Sequence, residues 1–139
     1  MCRDRMIEQA RRDSPNETCG FFSGRPALIE QIYPMKNVSD DPEVRYEFES
    51  VEHFKMLKRA DREKIPILGV YHSHPASPAY PSATDVGRAI LPDGTPTYAD
   101  YLYIILSLQR PDSPVLRGFR ILPGGKIQEE DLSIEEKVP

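Results

Sequence analysis

The 139-residue sequence lacks a disulfide framework and any long hydrophobic run. Its two cysteines, Cys2 and Cys19, are too far apart for a Cys-x-x-Cys redox or zinc motif, so a reducing compartment is the natural expectation. The longest apolar stretch, at 101–108, is far shorter than the about 20 residues that cross a bilayer, and residues 1–13 are too polar for a signal peptide. We therefore expect a cytoplasmic protein that has no membrane partner.

The sequence also lacks an excess of basic charge. Its formal net charge is −4 at pH 7, and acidic and basic residues are interspersed. Proteins that bind nucleic acid normally present a basic face, so no nucleic-acid partner is expected. The one basic cluster has helical spacing and is interpreted as the solvated surface of a helix; it consists of Lys55, Lys58, Arg59, Arg62 and Lys64.

The composition that is present fits a globular protein. Hydrophobic residues make up 39% of the chain and charged residues 29%, unlike a disordered sequence. The length is enough to bury one core, and neither an internal repeat nor a domain boundary is visible. We therefore expect a single domain that spans residues 1–139.

The pattern of apolar residues predicts a mixture of helices and strands. Continuous apolar runs at 65–74 and 101–109 suit buried strands. Because helices and adjacent hairpins alternate, the expected fold class is mixed α/β with α+β character. The predicted helices are 3–13, a second from Ser50 and a third from Ser82 to about Leu91; the predicted strands are 18–24, 27–35, 44–48, 65–74, 101–109, 115–122 and a short exposed strand within 124–134.

The second predicted helix carries a specific packing prediction. Ser50 is expected to be its N-cap, and Val51, Phe54 and Leu57 (with Met56 beside them) are expected to form the buried face. His53 lies among charged residues and is expected on the surface.

Residues 71–85 read YHSHPASPAYPSATD and contain the strongest chemical signal. Residues two apart in a strand share a face, so His72 and His74 project together from backbone positions about 6–7 Å apart, and two imidazoles can converge on one metal ion. Pro75 ends the strand, which places the pair at an open strand end. Asp85, in the first turn of the next helix, is a candidate third ligand, which would leave a fourth position for an activated water.

A purely structural interpretation competes with the metal site. Ser82 and Asp85 form a good capping box, with Ser82 at the N-cap and Asp85 at the third helical position. A carboxylate that ligates a metal has less freedom to reach back to the N-cap amide, so both interpretations stay open. Three other metal folds that use His-x-His do not fit: cupins and metallo-β-lactamases need further ligands that are missing here, and an amidohydrolase barrel needs a longer chain.

The segment His72-Ser73-His74-Pro75, followed by Ser82 and Asp85 at the spacing HxHP-x7-S-x2-D, resembles the JAMM motif of the MPN+ metalloproteases. The upstream segment PNETCGFFSG resembles the one that carries a glutamate in that family, and Glu17 is the matching position. The resemblance covers nearly the whole chain. The short bacterial and archaeal members, similar to peptidases that release cysteine from sulfur-carrier proteins, match best.

The resemblance implies a JAMM fold, a curved mixed sheet flanked by helices as in cytidine deaminases. It implies that His72, His74 and Asp85 bind one Zn²⁺ per chain, that Glu17 is the general acid/base and that Ser82 polarises the substrate carbonyl. The implied reaction is hydrolysis at the C-terminal end of a ubiquitin-like or sulfur-carrier protein, and a homodimer is compatible with the family. The alternative is a non-catalytic MPN-type interaction module, which the intact ligand set disfavours; a JAB-type domain tied to DNA metabolism is disfavoured by the negative charge.

Three further expectations accompany the resemblance. The family pattern has a strand before the first helix, whereas this chain starts almost in that helix, so its start is trimmed or misassigned, or an edge strand is lacking. An extended substrate tail is expected along a strand edge around Val44 to Phe48. Cys19 is expected to be a small buried residue, neither a ligand nor a nucleophile.

Overall fold

The computed structural model of the protein describes residues 2–26, 28–98 and 100–133. Within them, one six-stranded sheet is flanked by helices. The elements in chain order are α1 (Cys2–Asp13), β1 (Cys19–Arg25), β2 (Leu28–Met35), α2 (Ser50–Glu63), β3 (Ile67–His74), α3 (Ala83–Ala89), β4 (Leu102–Ser107), β5 (Val115–Leu122) and β6 (Lys126–Glu130), with a short 3₁₀ turn at Pro123–Gly125.

The sheet is mixed and has the order β2-β1-β3-β4-β5-β6. Strands β3 and β4 run parallel, because α3 and its flanking loops return the chain to the same end of the sheet, and the other neighbours are antiparallel. β3 lies inside the sheet, and its residues 69–74 are all buried. This burial on both faces explains why its sequence reads as a continuous apolar run that ends in buried histidines.

Helices α1 and α2 pack on opposite faces of the sheet. Phe21 and Phe22 are adjacent in β1 and therefore point to opposite faces. Phe22 packs in one cluster with Met6, Ile7 and Ala10 of α1, whereas Phe21 packs in another with Met56 and Ala60 of α2. The expected mixed sheet with helices on both faces is therefore present.

A buried polar connection ties α1 to the start of β1. The Tyr71 hydroxyl donates to Gln9 Oε1 at 2.5 Å, and Gln9 Nε2 donates to the carbonyl of Cys19 at 3.1 Å. Gly20 makes room for this connection, since a Cβ built there would lie 2.4 Å from the Tyr71 hydroxyl. A side chain at Gly20 would collide with the link.

Most predicted elements are confirmed with end shifts of one or two residues, but the 44–48 strand is wrong. That stretch is irregular and forms only an isolated bridge, between Phe48 and Asn37. The Arg45 carbonyl and the Glu47 amide bond to the Asn37 side chain, and the amides of Val44 and Arg45 donate to the Asp41 carbonyl, so these groups have partners outside a ladder. Residues 27 and 134, at the ends of two predicted strands, lie outside the described residues.

The second helix also differs from the prediction. Met56 and Ala60 form its buried stripe, whereas Val51, Phe54 and Leu57 are 56%, 60% and 40% exposed. The buried stripe of α2 is thus narrower than the predicted apolar face and is rotated relative to it around the helix axis. Phe54 is instead covered on one side by the ammonium of Lys58, at 5.2 Å from its ring centroid.

The beginning of α2 and the place of His53 require correction as well. The N-cap is Glu49, not Ser50, because the Glu49 carboxylate accepts from the amides of Val51 and Glu52. His53 is half-buried rather than on the surface. Its ring stacks on Phe21 at a centroid distance of 4.8 Å, since it lies one turn before Met56 on the stripe that faces the sheet.

Candidate active site

The last residues of β3 place two imidazoles side by side. His72 and His74 are 1% and 4% exposed, and their Nε2 atoms are 3.1 Å apart. The two flanking strands hold this register, since His72 lies opposite Cys19 of β1 and Ile105 of β4. The predicted convergence of the two rings is confirmed.

Helix α3 brings Asp85 to the same point. Asp85 Oδ2 lies 3.2 Å from His72 Nε2 and 3.1 Å from His74 Nε2. The same oxygen accepts from the Ser82 amide at 2.9 Å, and the Asp85 amide donates to Ser82 Oγ at 3.0 Å. The capping box and the three-residue cluster therefore coexist, although the sequence suggests that they compete. The cap holds the carboxylate in place while leaving Oδ2 directed at the imidazoles.

The donor set of this cluster fits a metal ion. His74 Nδ1 lies 2.8 Å from the Pro78 carbonyl, which can only accept, so Nδ1 carries a proton and the Nε2 of a neutral His74 carries a lone pair. Lone pairs on His74 Nε2 and Asp85 Oδ2 repel unless a proton or a metal cation lies between them. The ligand atoms lie within 4.8 Å of one another, and tetrahedral zinc bonded at about 2.0–2.1 Å separates its ligands by about 3.3 Å. The cluster can therefore hold a metal ion.

The charges in the cluster favour an anionic Asp85. Burial alone raises the pKa of this carboxyl. In the metal-free cluster, hydrogen bonds from His72 and from a His74 protonated on both nitrogens outweigh burial and hold the pKa well below its usual range; burial opposes that protonation of His74, but the bond to Asp85 raises its pKa. Burial lowers the pKa of His72 and so favours the neutral imidazole, the form that ligates metals.

Glu17 lies just before β1 and is 4% exposed. Burial raises its pKa to about 8, and electrostatic attraction to His74 opposes part of that shift. Within the described part of the chain, its Oε1 is buried and has no hydrogen-bond partner. Glu17 is thus a carboxyl group that can gain or lose a proton near neutral pH and that interacts electrostatically with two members of the cluster, His74 and Asp85.

Sequence reasoning missed Ser73, which places Glu17 relative to the histidines. Ser73 is fully buried; its Oγ accepts from the Thr18 amide at 2.7 Å, and its own amide donates to the Thr18 carbonyl at 3.1 Å. These two bonds hold Thr18, the residue after Glu17, next to Ser73, the residue between the two histidines. The available signal was a small polar residue between the two histidines of a buried strand.

Tyr46 lies in the stretch where the sequence predicts a strand edge that binds the substrate tail; the structure has no such strand there but brings Tyr46 to the cluster. Its ring centroid lies 4.6 Å from that of His72. The Tyr46 carbonyl accepts from Arg88 Nη1, one turn beyond Asp85 on α3. The irregular segment that contains Tyr46 therefore contacts the cluster.

The predicted site residue Ser82 and the non-site residue Cys19 occupy different surroundings. Ser82 is exposed at the start of α3, and a hydroxyl that accepts from an amide can still donate its own proton. Cys19 is fully buried, and burial raises the pKa of its thiol to about 12, which confirms the expectation of a small buried residue.

Comparison with known proteins identifies the family. The profile described as prokaryotic homologs of the JAB domain matches residues 2–121, and the chain belongs to this family. A CysO-cysteine peptidase from Mycobacterium tuberculosis is 36% identical over 138 residues, which cover 95% of this chain and 86% of that protein. A desampylase from Haloferax volcanii is 34% identical over 111 residues, covering 76% of this chain and 75% of that protein.

Solved structures show the same fold. The solution structure of a protein from Desulfitobacterium hafniense superposes with a TM-score of 0.81 at 32% identity, covering 98% of this chain and 90% of that one. The crystal structure of a JAB1/MPN domain protein from Archaeoglobus fulgidus gives a TM-score of 0.59 at 19% identity and covers 96% and 93% of the two chains. The predicted family, the fold class and the assignment to the peptidases are confirmed.

Among the helices that the structure describes, none is both long and apolar enough to cross a membrane. The expected cytoplasmic location stays a prediction.

Proposed function

We propose that the protein is a zinc-dependent peptidase that hydrolyses an amide or isopeptide bond at the C-terminal end of a ubiquitin-like or sulfur-carrier protein. The observation that carries the proposal is the convergence of His72, His74 and Asp85 on one point, together with a buried Glu17 carboxyl that interacts electrostatically with His74 and Asp85. His72, His74 and Asp85 are the proposed zinc ligands. Two nitrogens and one carboxylate oxygen are a ligand set typical of catalytic zinc, which keeps one position open.

The proposed mechanism divides the work between Glu17 and Ser82. Held by His72, His74 and Asp85, zinc would polarise the substrate carbonyl and acidify water. Glu17 takes the proton of the attacking water and returns it to the leaving amine; its buried Oε1 has no hydrogen-bond partner among the described residues and is therefore available to accept that proton. The Ser82 hydroxyl donates to the oxyanion, a contact worth about 3 kcal/mol in the transition state.

The substrate class follows from the relatives. A CysO-cysteine peptidase matches along 95% of this chain and a desampylase along 76%, and each name implies a small carrier protein. We place a sulfur carrier with a C-terminal cysteine adduct first because the longer match points to it. A lysine-linked conjugate is the second candidate, since the two substrates differ only in the amine that leaves. A homodimer that acts in the cytoplasm is part of the same proposal.

The experiment combines metal content with turnover in matched variants. Wild type, His74→Ala, Glu17→Gln and His53→Ala are analysed for zinc and assayed on a carrier–cysteine adduct. We expect about one zinc per chain in the wild type, loss of zinc and activity in His74→Ala, and full zinc with only a small residual activity in Glu17→Gln. His53→Ala, which removes a histidine outside the cluster, should keep both. Zinc retained in His74→Ala would overturn the ligand assignment.

A further inference from the structure

The side chain of Asn37 donates to the backbone of three residues beside the candidate site. Asn37 lies two residues beyond the end of β2. Its Nδ2 donates to the carbonyls of Glu17 and Arg45, each at 3.0 Å, and to that of Pro42 at 3.3 Å. One planar amide therefore connects the proposed acid/base residue to an otherwise irregular part of the chain.

The acceptor side of the same amide organises that irregular part. Asn37 Oδ1 accepts from the amide of Ser39 at 3.0 Å and from that of Glu47 at 3.1 Å. We call residues 38–48 the covering segment, because its Tyr46 ring packs against the His72 ring at a tilt of 31°. The Asn37 side chain thus makes five hydrogen bonds, and two of them, with the Arg45 carbonyl and the Glu47 amide, lie in the stretch where the sequence predicts a strand.

Glu17 depends on these contacts for its place. It precedes β1, so neither of its backbone groups belongs to the ladder of the sheet. Its carbonyl accepts from Asn37, and its amide donates to the Pro42 carbonyl of the covering segment at 2.7 Å. Both polar groups of the Glu17 backbone are thereby held by Asn37 or by the segment that Asn37 organises.

We propose that Asn37 is a positioning residue for Glu17: its amide locks the covering segment onto the backbone of Glu17 and so fixes the proposed acid/base carboxyl beside the metal cluster. This inference rests on the proposed function. Asparagine suits the role because one rigid group carries two donor protons and an acceptor oxygen. Aspartate would keep the two acceptor contacts and lose the three donor contacts.

The test asks whether Asn37 acts through Glu17. Turnover of a carrier–cysteine adduct is measured for wild type, Asn37→Ala, Glu17→Gln and the double variant, each checked for zinc. We expect Asn37→Ala to lower kcat by about 10- to 100-fold, since a misplacement near 1 Å can cost that much, with KM and zinc content close to wild type. In the Glu17→Gln background the same change should lower the residual rate by less than about 2-fold, because coupled residues are not additive.

An equal fold loss in both backgrounds would overturn the proposal, because it would show that Asn37 supports the fold in general. Ser39→Ala is the matched control: it removes a hydrogen bond within the covering segment, to the Asp41 amide, and leaves the Asn37 contacts in place. Its kcat should stay within about 2-fold of wild type. If Asn37→Ala does not fold, Asn37→Asp takes its place.

Amide hydrogen exchange separates this proposal from the proposed function. In an Asn37 variant the Glu17 amide should exchange at least about 10-fold faster, since its acceptor Pro42 is no longer held, while the Thr18 amide on Ser73 stays protected. If the wild type cleaves no carrier adduct, the proposed function fails, and exchange alone decides whether Asn37 holds Glu17. Unchanged exchange at Glu17 would overturn the positioning role.

Discussion

The two sides of the candidate site are held in different ways. On the sheet side, His72 pairs with Cys19 of β1, His74 pairs with Ser107 of β4, and Ser73 bonds to Thr18, so main-chain pairing and one buried hydroxyl hold the site. On the other side, the covering segment is held by the side chain of Asn37 and by a contact from Arg88. A main-chain ladder repeats with a period that can be seen in the sequence, whereas a loop organised by one side chain leaves no periodic signal.

The largest expected difference in the free energy of unfolding is between substitutions on the buried face and on the exposed face of helix α2. Met56→Ala should lower the free energy of unfolding by about 2–5 kcal/mol, because it removes a buried side chain from the sheet contact. Phe54→Ala, on the face that the sequence predicts to be buried, should change it by no more than about 0.5 kcal/mol. Chemical denaturation measures both, and a larger loss for Phe54→Ala would contradict the described orientation of α2.

Removing a hydroxyl on the sheet side should lower the free energy of unfolding more than removing one in the covering segment. Ser73→Ala leaves the buried Thr18 amide without its acceptor and should lower the free energy of unfolding by about 1–3 kcal/mol. The matched change Ser39→Ala, in the covering segment, should cost no more than about 0.5 kcal/mol. Equal losses of unfolding free energy for Ser73→Ala and Ser39→Ala, measured by urea denaturation, would contradict the difference between the two sides of the site.

The buried carboxyl of Glu17 should make stability depend on pH in the metal-free protein. Its pKa is raised from 4.5 to about 8, so the folded state keeps a proton that the unfolded state releases. The resulting stabilisation is complete below pH 4.5 and is lost as pH rises through 8, with a slope of at most about 1.4 kcal/mol per pH unit. Glu17→Gln should remove this slope, and urea melts of both proteins between pH 5 and 8.5 measure the difference. Parallel curves would contradict a raised pKa.

The smallest expected effect concerns the thiols. Cys19 is fully buried with a pKa of about 12, whereas Cys2 is partly exposed. A thiol reagent at pH 8 should therefore modify Cys2 quickly and Cys19 only after unfolding, because the thiolate is the reactive form. Mass spectrometry identifies the modified residue, and rapid labelling of Cys19 would show that β1 opens easily.

The sequence predicts the structure of the sheet side of the site better than that of the covering segment. The His-x-His spacing at the end of an apolar run was enough to place His72 and His74, and the capping pattern placed Asp85, because strand and helix-cap geometry are local. The combined role of the Asp85 oxygen could not be predicted, since it depends on how the loop at 75–81 folds back.

The errors all fall between residues 44 and 57. The predicted strand at 44–48 failed because Asn37 satisfies its backbone, and the predicted buried face of α2 failed because several faces of that helix carry apolar residues. Which of these faces packs is decided by Phe21 and the sheet, through contacts distant in sequence.

The central claim, a zinc-dependent peptidase, is tested most directly by the hydrolysis rate of a carrier–cysteine adduct before chelation, after chelation and after zinc is restored. The account predicts that a chelator abolishes cysteine release and that one equivalent of zinc restores it. Undiminished release by protein that elemental analysis shows to be free of metal would contradict the account.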